Sequence, residues 1–178
     1  MDEQARKKAE RIRLAAFDVD GVMTDGSILF GDDGTEYKSF HAQDGLGLVM
    51  LQTAGVIVAI ISSRTSGVVS KRMSELGIKH VMQGVADKQQ ALAGLLQELN
   101  IAPEEMAFIG DDLVDLPAMS SAGLAVAVAN ARPQVIACAD WITVAPGGRG
   151  GVREVCEMLL EARGKLDDTL QKYYRPSA

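Results

Sequence analysis

The chain has 178 residues, 47% apolar and 24% charged, with a formal charge of -6 at pH 7; that length fits one domain with a buried core, and the acidic balance argues against nonspecific nucleic-acid binding, which needs a basic face. No apolar run approaches the ~20 residues of a membrane span, and the charged stretch 2–13 lacks the apolar centre of a secretory signal. Cys138 and Cys156 have no metal-ligand spacing, so a soluble cytoplasmic protein with reduced thiols is expected.

Residues 2–12 read as a short polar helix prone to fraying. Residues 14–17 form an apolar run of strand length that ends on Asp18. Two β-prone runs, 27–30 and 35–40, flank Gly31-Asp32-Asp33-Gly34 and predict a hairpin, because Asp and Gly supply turn conformations that bulkier residues resist. A helix over 44–54 places Leu46, Val49, Met50 and Thr53 on one face and is closed by Gly55. Residues 56–61 (VIVAII) read as a strand buried on both faces, as in a parallel sheet. A helix over 66–76 closed by Gly77, a strand at 80–83 and a helix over 87–99 follow. The strand 106–109 runs into Gly110-Asp111-Asp112 and a short helix to about 120. Strands at 124–128 and 141–144, a glycine-rich loop at 147–151 and a helix over 152–163 complete the pattern. The basic-aromatic tail, with Tyr173-Tyr174-Arg175, reads as disordered or as an assembly contact.

Strands alternating with helices imply βαβ units with right-handed crossovers. The expected fold is α/β: a doubly wound, mainly parallel, Rossmann-like sheet in a single domain, 1–178, with an inserted hairpin flap at 27–40 and a C-terminal segment at 145–178. In such sheets ligands bind at the carboxyl ends of the strands. At those ends stand Asp18 and Asp20, then Ser62-Ser63-Arg64, then Lys88, then Asp111 and Asp112. Gathering carboxylates is costly unless a cation offsets their repulsion. Mg2+ fits, because it takes few carboxylates, keeps waters and is completed by substrate phosphate. Such a site can run phosphoryl transfer: a carboxylate attacks phosphorus, and water hydrolyses the acyl phosphate. A lysine and a hydroxyl would hold the equatorial oxygens, and a second acid two residues on would move protons.

The stretch Asp18-Val19-Asp20-Gly21-Val22-Met23-Thr24-Asp25, with Ser62, Lys88 and Gly110-Asp111-Asp112 in that order, resembles the motif series of the haloacid dehalogenase superfamily. The resemblance implies that Asp18 is the nucleophile and a metal ligand, and that Asp20 is the general acid/base, lending its backbone carbonyl to Mg2+. It implies that Ser62 and Lys88 bind the phosphoryl group, that Asp111 is a further metal ligand with Asp112 beside it, and that Asp115 supports the site. The gaps between motifs are too short for a cap domain.

The hairpin, the stretch Lys38 to Gly45 and the glycine-rich segment with Arg149 and Arg153 resemble the uncapped branch that acts on acidic sugar phosphates. That implies 3-deoxy-D-manno-octulosonate 8-phosphate as substrate, a homotetramer joined through hairpins, and a neighbour's glycine-rich segment over the site. Arg64, Arg72 and Arg149 (or Arg153) become the expected contacts to the acidic sugar. The chain departs from the branch at His41 and Gln43, where an Asn and a basic residue are familiar, and at Ser62-Ser63-Arg64, where Thr-Gly-Arg is. The alternatives are a nonulosonate 9-phosphate phosphatase, a phosphomutase (disfavoured without a cap to exclude water), and a non-catalytic assembly domain of a nucleotidyltransferase system. An EF-hand reading fails because Leu29 stands where a bidentate Glu is needed, and Gly45-Leu46-Gly47 lacks the third glycine of a dinucleotide fingerprint.

Overall fold

The structure, a computed structural model, describes residues 2–174. The chain runs through α1 (Glu3–Glu10), β1 (Leu14–Phe17), β2 (Leu29–Phe30), β3 (Glu36–Tyr37), α2 (Ala42–Thr53), β4 (Ile57–Ile61), α3 (Gly67–Glu75), β5 (His80–Met82) and α4 (Lys88–Leu99). It continues through β6 (Met106–Gly110), a 3-10 turn (Leu113–Asp115), α5 (Leu116–Ser121), β7 (Leu124–Ala127), α6 (Pro133–Cys138), β8 (Trp141–Ile142), α7 (Gly151–Ala162) and α8 (Leu166–Tyr174). The strands other than β2 and β3 pair in parallel, in the order β5-β4-β1-β6-β7-β8. β1, β6 and β7 are buried along their whole length, as a sheet covered on both faces requires.

The connections explain the two layers. From β1 the chain steps outward to β4 and β5 through α2 and α3, then returns to β6 and proceeds the other way through α4, α5 and α6. Right-handed crossovers in opposite directions place the two sets of helices on opposite faces. α2 packs on β4 and α7, and α7 packs on α1, while α5 packs on α4, α6 and β6. The direction reverses between β1 and β6, so a crevice opens at their carboxyl ends. Register carries Asp18 to that rim: Leu14 to Phe17 pair with Met106 to Ile109, and the Asp18 N–H still donates to the Ile109 carbonyl at 3.0 Å. The fully buried Phe17 and Phe108 anchor these strands, each contributing about 2–3 kcal/mol of burial.

Three elements differ from the sequence expectation. On α2 the buried residues include Gly47, Leu48, Met50 and Leu51, whereas Leu46 and Thr53 are exposed. Gly47 is the reason: a Cβ there would lie 3.2 Å from both Arg153 Cα and Cys156 Cβ, so α2 buries bare backbone against α7, with the buried Asp44 carboxylate accepting the N–H of Arg153 at 2.8 Å and of Gly150 at 3.3 Å. Helix α6 is not expected from the sequence, yet Pro133 opens it where a missing N–H costs nothing, and Val135 is fully buried. Tyr173 and Tyr174 are not in a disordered tail; they end α8, which packs on α7, with Leu166 and Leu170 set against the core and Thr169 buried. Arg175 lies outside the described residues.

Candidate active site

The loop after β1 is built around its glycine and threonine. Gly21 has φ +105°, and a Cβ there would fall 2.1 Å from Asp111 Oδ2, so only glycine lets this backbone pass beside the acid. The buried Thr24 hydroxyl donates to the Val19 carbonyl at 3.4 Å and accepts from the Gly26 N–H at 3.2 Å, closing the loop. Asp18 is thereby presented 6% exposed at the floor of the crevice.

Lys88 reaches that floor from the first turn of α4, just past Asp87, which caps the helix by accepting the Gln90 N–H at 3.0 Å. Its ammonium lies 2.6 Å from Asp18 Oδ1 and 2.7 Å from Asp115 Oδ1. The other Asp115 oxygen accepts the N–H groups of Asp111 at 3.0 Å and Asp112 at 3.2 Å. Fully buried Asp115 therefore ties Lys88 to the loop after β6, the supporting part expected of it.

Carboxylate oxygens of Asp18, Asp111 and Asp115 lie within 4.8 Å of one another. Burial, then the Asp115 charge, pushes Asp18 up to about 6 from 3.8. Burial, then the charges of Asp18 and Asp115, pushes Asp111 up to about 7 from 3.8. Burial pulls Lys88 down, but Asp18 and Asp115 outweigh it and raise it above its ordinary value. Asp111 Oδ1 is buried and has no hydrogen-bond partner among the described residues. Oxygen donors that resist ionisation together, one of them orphaned, fit a hard divalent cation. Asp112 stands outside this cluster; it is exposed, and its Oδ1 accepts the Leu113 N–H at 2.7 Å.

Those shifts predict a pH dependence for the metal-free protein. Both carboxyls bind a proton more tightly when folded, so the folded state holds more protons than the unfolded chain between about pH 4 and pH 7. Their contribution to stability is full below about pH 4 and is lost as the pH rises through about 6 and 7, a loss on the order of a few kcal/mol. Denaturant titrations of metal-stripped wild type and Asp111→Asn at pH 5 and pH 7.5 test this. Wild type should lose more stability than the variant over that interval, and Mg2+ should restore it at pH 7.5. Equal losses in the two proteins would show that Asp111 carries no strained charge.

The opposite wall comes from β4 and the hairpin. Ser62 is 3% exposed, and its Oγ accepts the Arg64 N–H at 3.2 Å. Asp18, Asp20, Ser62, Arg64, Lys88 and Asp112 line a pocket of about 160 Å3. Glu36 and Lys38 also reach this wall: Lys38 hydrogen-bonds Asp20, and Arg64 Nη2 donates to Glu36 Oε1 at 3.2 Å. The sequence motifs assign these two residues no role. Their signal was the strand alternation that places positions 36 and 38 on one face.

Arg72 and Arg149, expected at the substrate, do not line the pocket of this chain. Arg72 pairs with Glu75 at 3.4 Å and packs beside Gly45 of α2, because α3 turns that face toward α2. Arg149 lies 3.4 Å from Asp25. The glycine-rich loop rests on its own chain's first motif, with the Gly148 N–H donating to the Val22 carbonyl at 2.8 Å. Arg153 pairs with Glu157 at 2.7 Å, and His41 Nδ1 lies 3.9 Å from Asp44.

A model of the haloacid dehalogenase-like hydrolases matches residues 54–155. The 3-deoxy-D-manno-octulosonate 8-phosphate phosphatase KdsC of Escherichia coli K12 is 50% identical over 161 residues, 90% of this chain and 86% of that protein. The crystal structure of the Moraxella catarrhalis phosphatase of that name, in complex with magnesium ion, phosphate ion and a KDO molecule, superposes with TM-score 0.95 at 45% identity, covering 97% of this chain and 99% of that one. The cobalt-bound phosphatase of Haemophilus influenzae superposes with TM-score 0.90 at 40% identity, covering 94% and 99%.

Proposed function

The chain belongs to the haloacid dehalogenase-like hydrolases, and we propose that within them it is a Mg2+-dependent phosphatase that hydrolyses 3-deoxy-D-manno-octulosonate 8-phosphate to the free sugar acid and phosphate. The observation that carries the chemistry is Lys88 clamped between Asp18 and Asp115 beside the orphaned Asp111 oxygen. The substrate rests on likeness to the phosphatases of that name, one of them crystallised with magnesium, phosphate and KDO. On this reading the protein serves lipopolysaccharide precursor synthesis in the cytoplasm; no helix among the described residues is long and apolar enough to cross a membrane.

In the mechanism, Asp18 is the nucleophile. Its carboxylate attacks phosphorus as the bond to the sugar oxygen breaks, and an aspartyl phosphate forms. Lys88 and the Ser62 hydroxyl hold the phosphoryl oxygens whose charge must be carried through the transfer. Asp20 gives a proton to the departing sugar oxygen and later takes one from the water that attacks the aspartyl phosphate. Asp18, Asp111 and the Asp20 carbonyl would hold Mg2+, with Asp112 beside them; when bound, the ion supplies the positive charge that lets an anionic nucleophile approach an anionic phosphate. Arg64, at the pocket wall, is the in-chain candidate for the sugar acid, since its planar fork suits a carboxylate. Arg72 and Arg149 keep that role only if a neighbouring subunit presents them.

Phosphate release with Mg2+ from a panel of sugar phosphates tests the substrate. The highest kcat/KM is expected on 3-deoxy-D-manno-octulosonate 8-phosphate. A preference for a nonulosonate 9-phosphate would move the protein to the alternative, and no turnover at all would leave an assembly domain.

We also infer a single domain, 1–178, and a homotetramer. Ile28, Leu29, Phe30 and Tyr37 on the hairpin are 46%, 54%, 62% and 55% exposed, an apolar surface that association would cover. Phe30→Asp should convert a tetramer to smaller species in sedimentation velocity. An unchanged sedimentation coefficient would take the hairpin out of the assembly.

A further inference from the structure

Four charged groups alternate around one edge of the pocket and join it to the hairpin. Lys38 Nζ donates to Asp20 Oδ1 and lies 3.5 Å from Glu36 Oε1. Arg64 Nη2 donates to that same Glu36 oxygen at 3.2 Å, and its Nε lies 3.7 Å from Asp20 Oδ2. The Lys38 side chain is 1% exposed, against 43% for Arg64. Burying an ammonium is costly unless it is paired and hydrogen-bonded. The hairpin does not need this lysine for its own turn, which is closed by backbone: the Gly31 N–H donates to the Thr35 carbonyl at 2.8 Å and the Gly34 N–H to the Gly31 carbonyl at 2.9 Å. What the buried ammonium does accomplish is to hold one oxygen of Asp20.

We propose that Lys38 is the positioning residue for Asp20, carried by the hairpin into the phosphoryl-transfer pocket. The inference rests on the reading of Asp20 as the general acid. Oδ1 is committed to Lys38, and among the described residues nothing donates a hydrogen bond to Oδ2, with Arg64 Nε standing off at 3.7 Å. The carboxyl rotamer is thereby fixed, and Oδ2 is the oxygen left to carry the proton. As the bond from Asp18 to phosphorus forms and the phosphorus–sugar oxygen bond breaks, that sugar oxygen takes the proton from Oδ2 and leaves as the alcohol, with Asp20 left as carboxylate. In the second half-reaction the attacking water returns a proton to the same oxygen. Glu36 holds Lys38 and Arg64 in this arrangement, so the hairpin's seating and the acid's aim are one structural feature.

Leaving-group dependence separates positioning from mere structure. An alkoxide needs the proton as it departs, whereas p-nitrophenolate leaves without it, and kcat/KM covers only the steps through that departure. Lys38→Met should lose about 10- to 100-fold in kcat/KM on the sugar phosphate, the scale of a small misplacement of a catalytic group, and no more than about threefold on p-nitrophenyl phosphate. Lys38→Arg should recover most of the loss, and Lys38→Met added to Asp20→Asn should cost nothing further. Should Lys38→Met fail to fold, Lys38→Gln is read in the same way. Equal losses on both substrates for the Lys38 variants, with Asp20→Asn still splitting them, overturn the positioning role and leave the acid assignment standing. No split in Asp20→Asn overturns the acid assignment and the proposal together.

Discussion

Asp18→Asn is expected to lower Mg2+-dependent phosphate release by about 10^4-fold or more, the scale seen when a covalent nucleophile is removed, while the folded protein survives. The amide is nearly the same size, and its oxygen can still accept from Lys88, which lies 2.6 Å from Asp18 Oδ1. It carries no negative charge and cannot form the acyl phosphate. The change also removes one carboxylate from a cluster whose oxygens lie within 4.8 Å of one another, so lost attraction to Lys88 is offset by relief of repulsion from Asp111 and Asp115. A melting temperature within a few degrees of wild type is therefore expected, since each kcal/mol moves a chain of this length by about 2–4 °C. The decisive readout is covalent. Wild-type protein quenched in acid during turnover should retain phosphoryl label on the denatured chain, and Asp18→Asn should retain none. Label retained by the variant, or turnover within tenfold of wild type, would assign the nucleophile to another residue.

The parts of this site that were legible in the sequence share one property. Asp18, Ser62 and Asp111 each follow an apolar run that could only be a buried strand, and in a parallel sheet every such position faces the same rim. Lys88 was legible because it opens the helix after the next strand. Topology alone brings these residues together, with no knowledge of which side chains touch. Lys38 and Glu36 were not legible in that way. Glu36 sits on a strand two residues long and Lys38 lies just past its end; alternation puts the two on one face, but their reach to Asp20 and Arg64 depends on how the hairpin leans over the sheet. The face of α2 was misread for a different reason. Hydrophobic periodicity weighs side chains, whereas Gly47 buries a backbone against Arg153 and Cys156. Helix α6, Pro133–Cys138, is too short to show a 3.6-residue pattern. The start of α8 did carry a signal: Leu166 and Leu170 stand four apart after Gly164, whose φ of +64° ends α7.

Lys88→Met should be the most damaging single change to the fold within the site, and it should abolish turnover as well. Methionine fills a similar volume, so packing is largely kept and the charge is what is lost. Lys88 is 4% exposed and lies 2.6 Å from Asp18 and 2.7 Å from Asp115. Without it two buried carboxylates face each other with no cation between them. Removing one partner of a buried ion pair costs about 3–5 kcal/mol, and at about 2–4 °C per kcal/mol the melting temperature should fall by roughly 6–20 °C. The sign can be checked within the same protein. Asp18 loses the group that favoured its ionised form, so the variant should be most stable at mildly acid pH, where that carboxyl can protonate, and should weaken steeply toward neutrality. Mg2+ offers an alternative cation to Asp18, and its stabilisation of the variant should exceed its stabilisation of wild type under equal excess. Full stability in Lys88→Met at neutral pH without metal would mean that these carboxylates are not held as a strained cluster. The case for a cation beside Asp111 would then lose its physical basis.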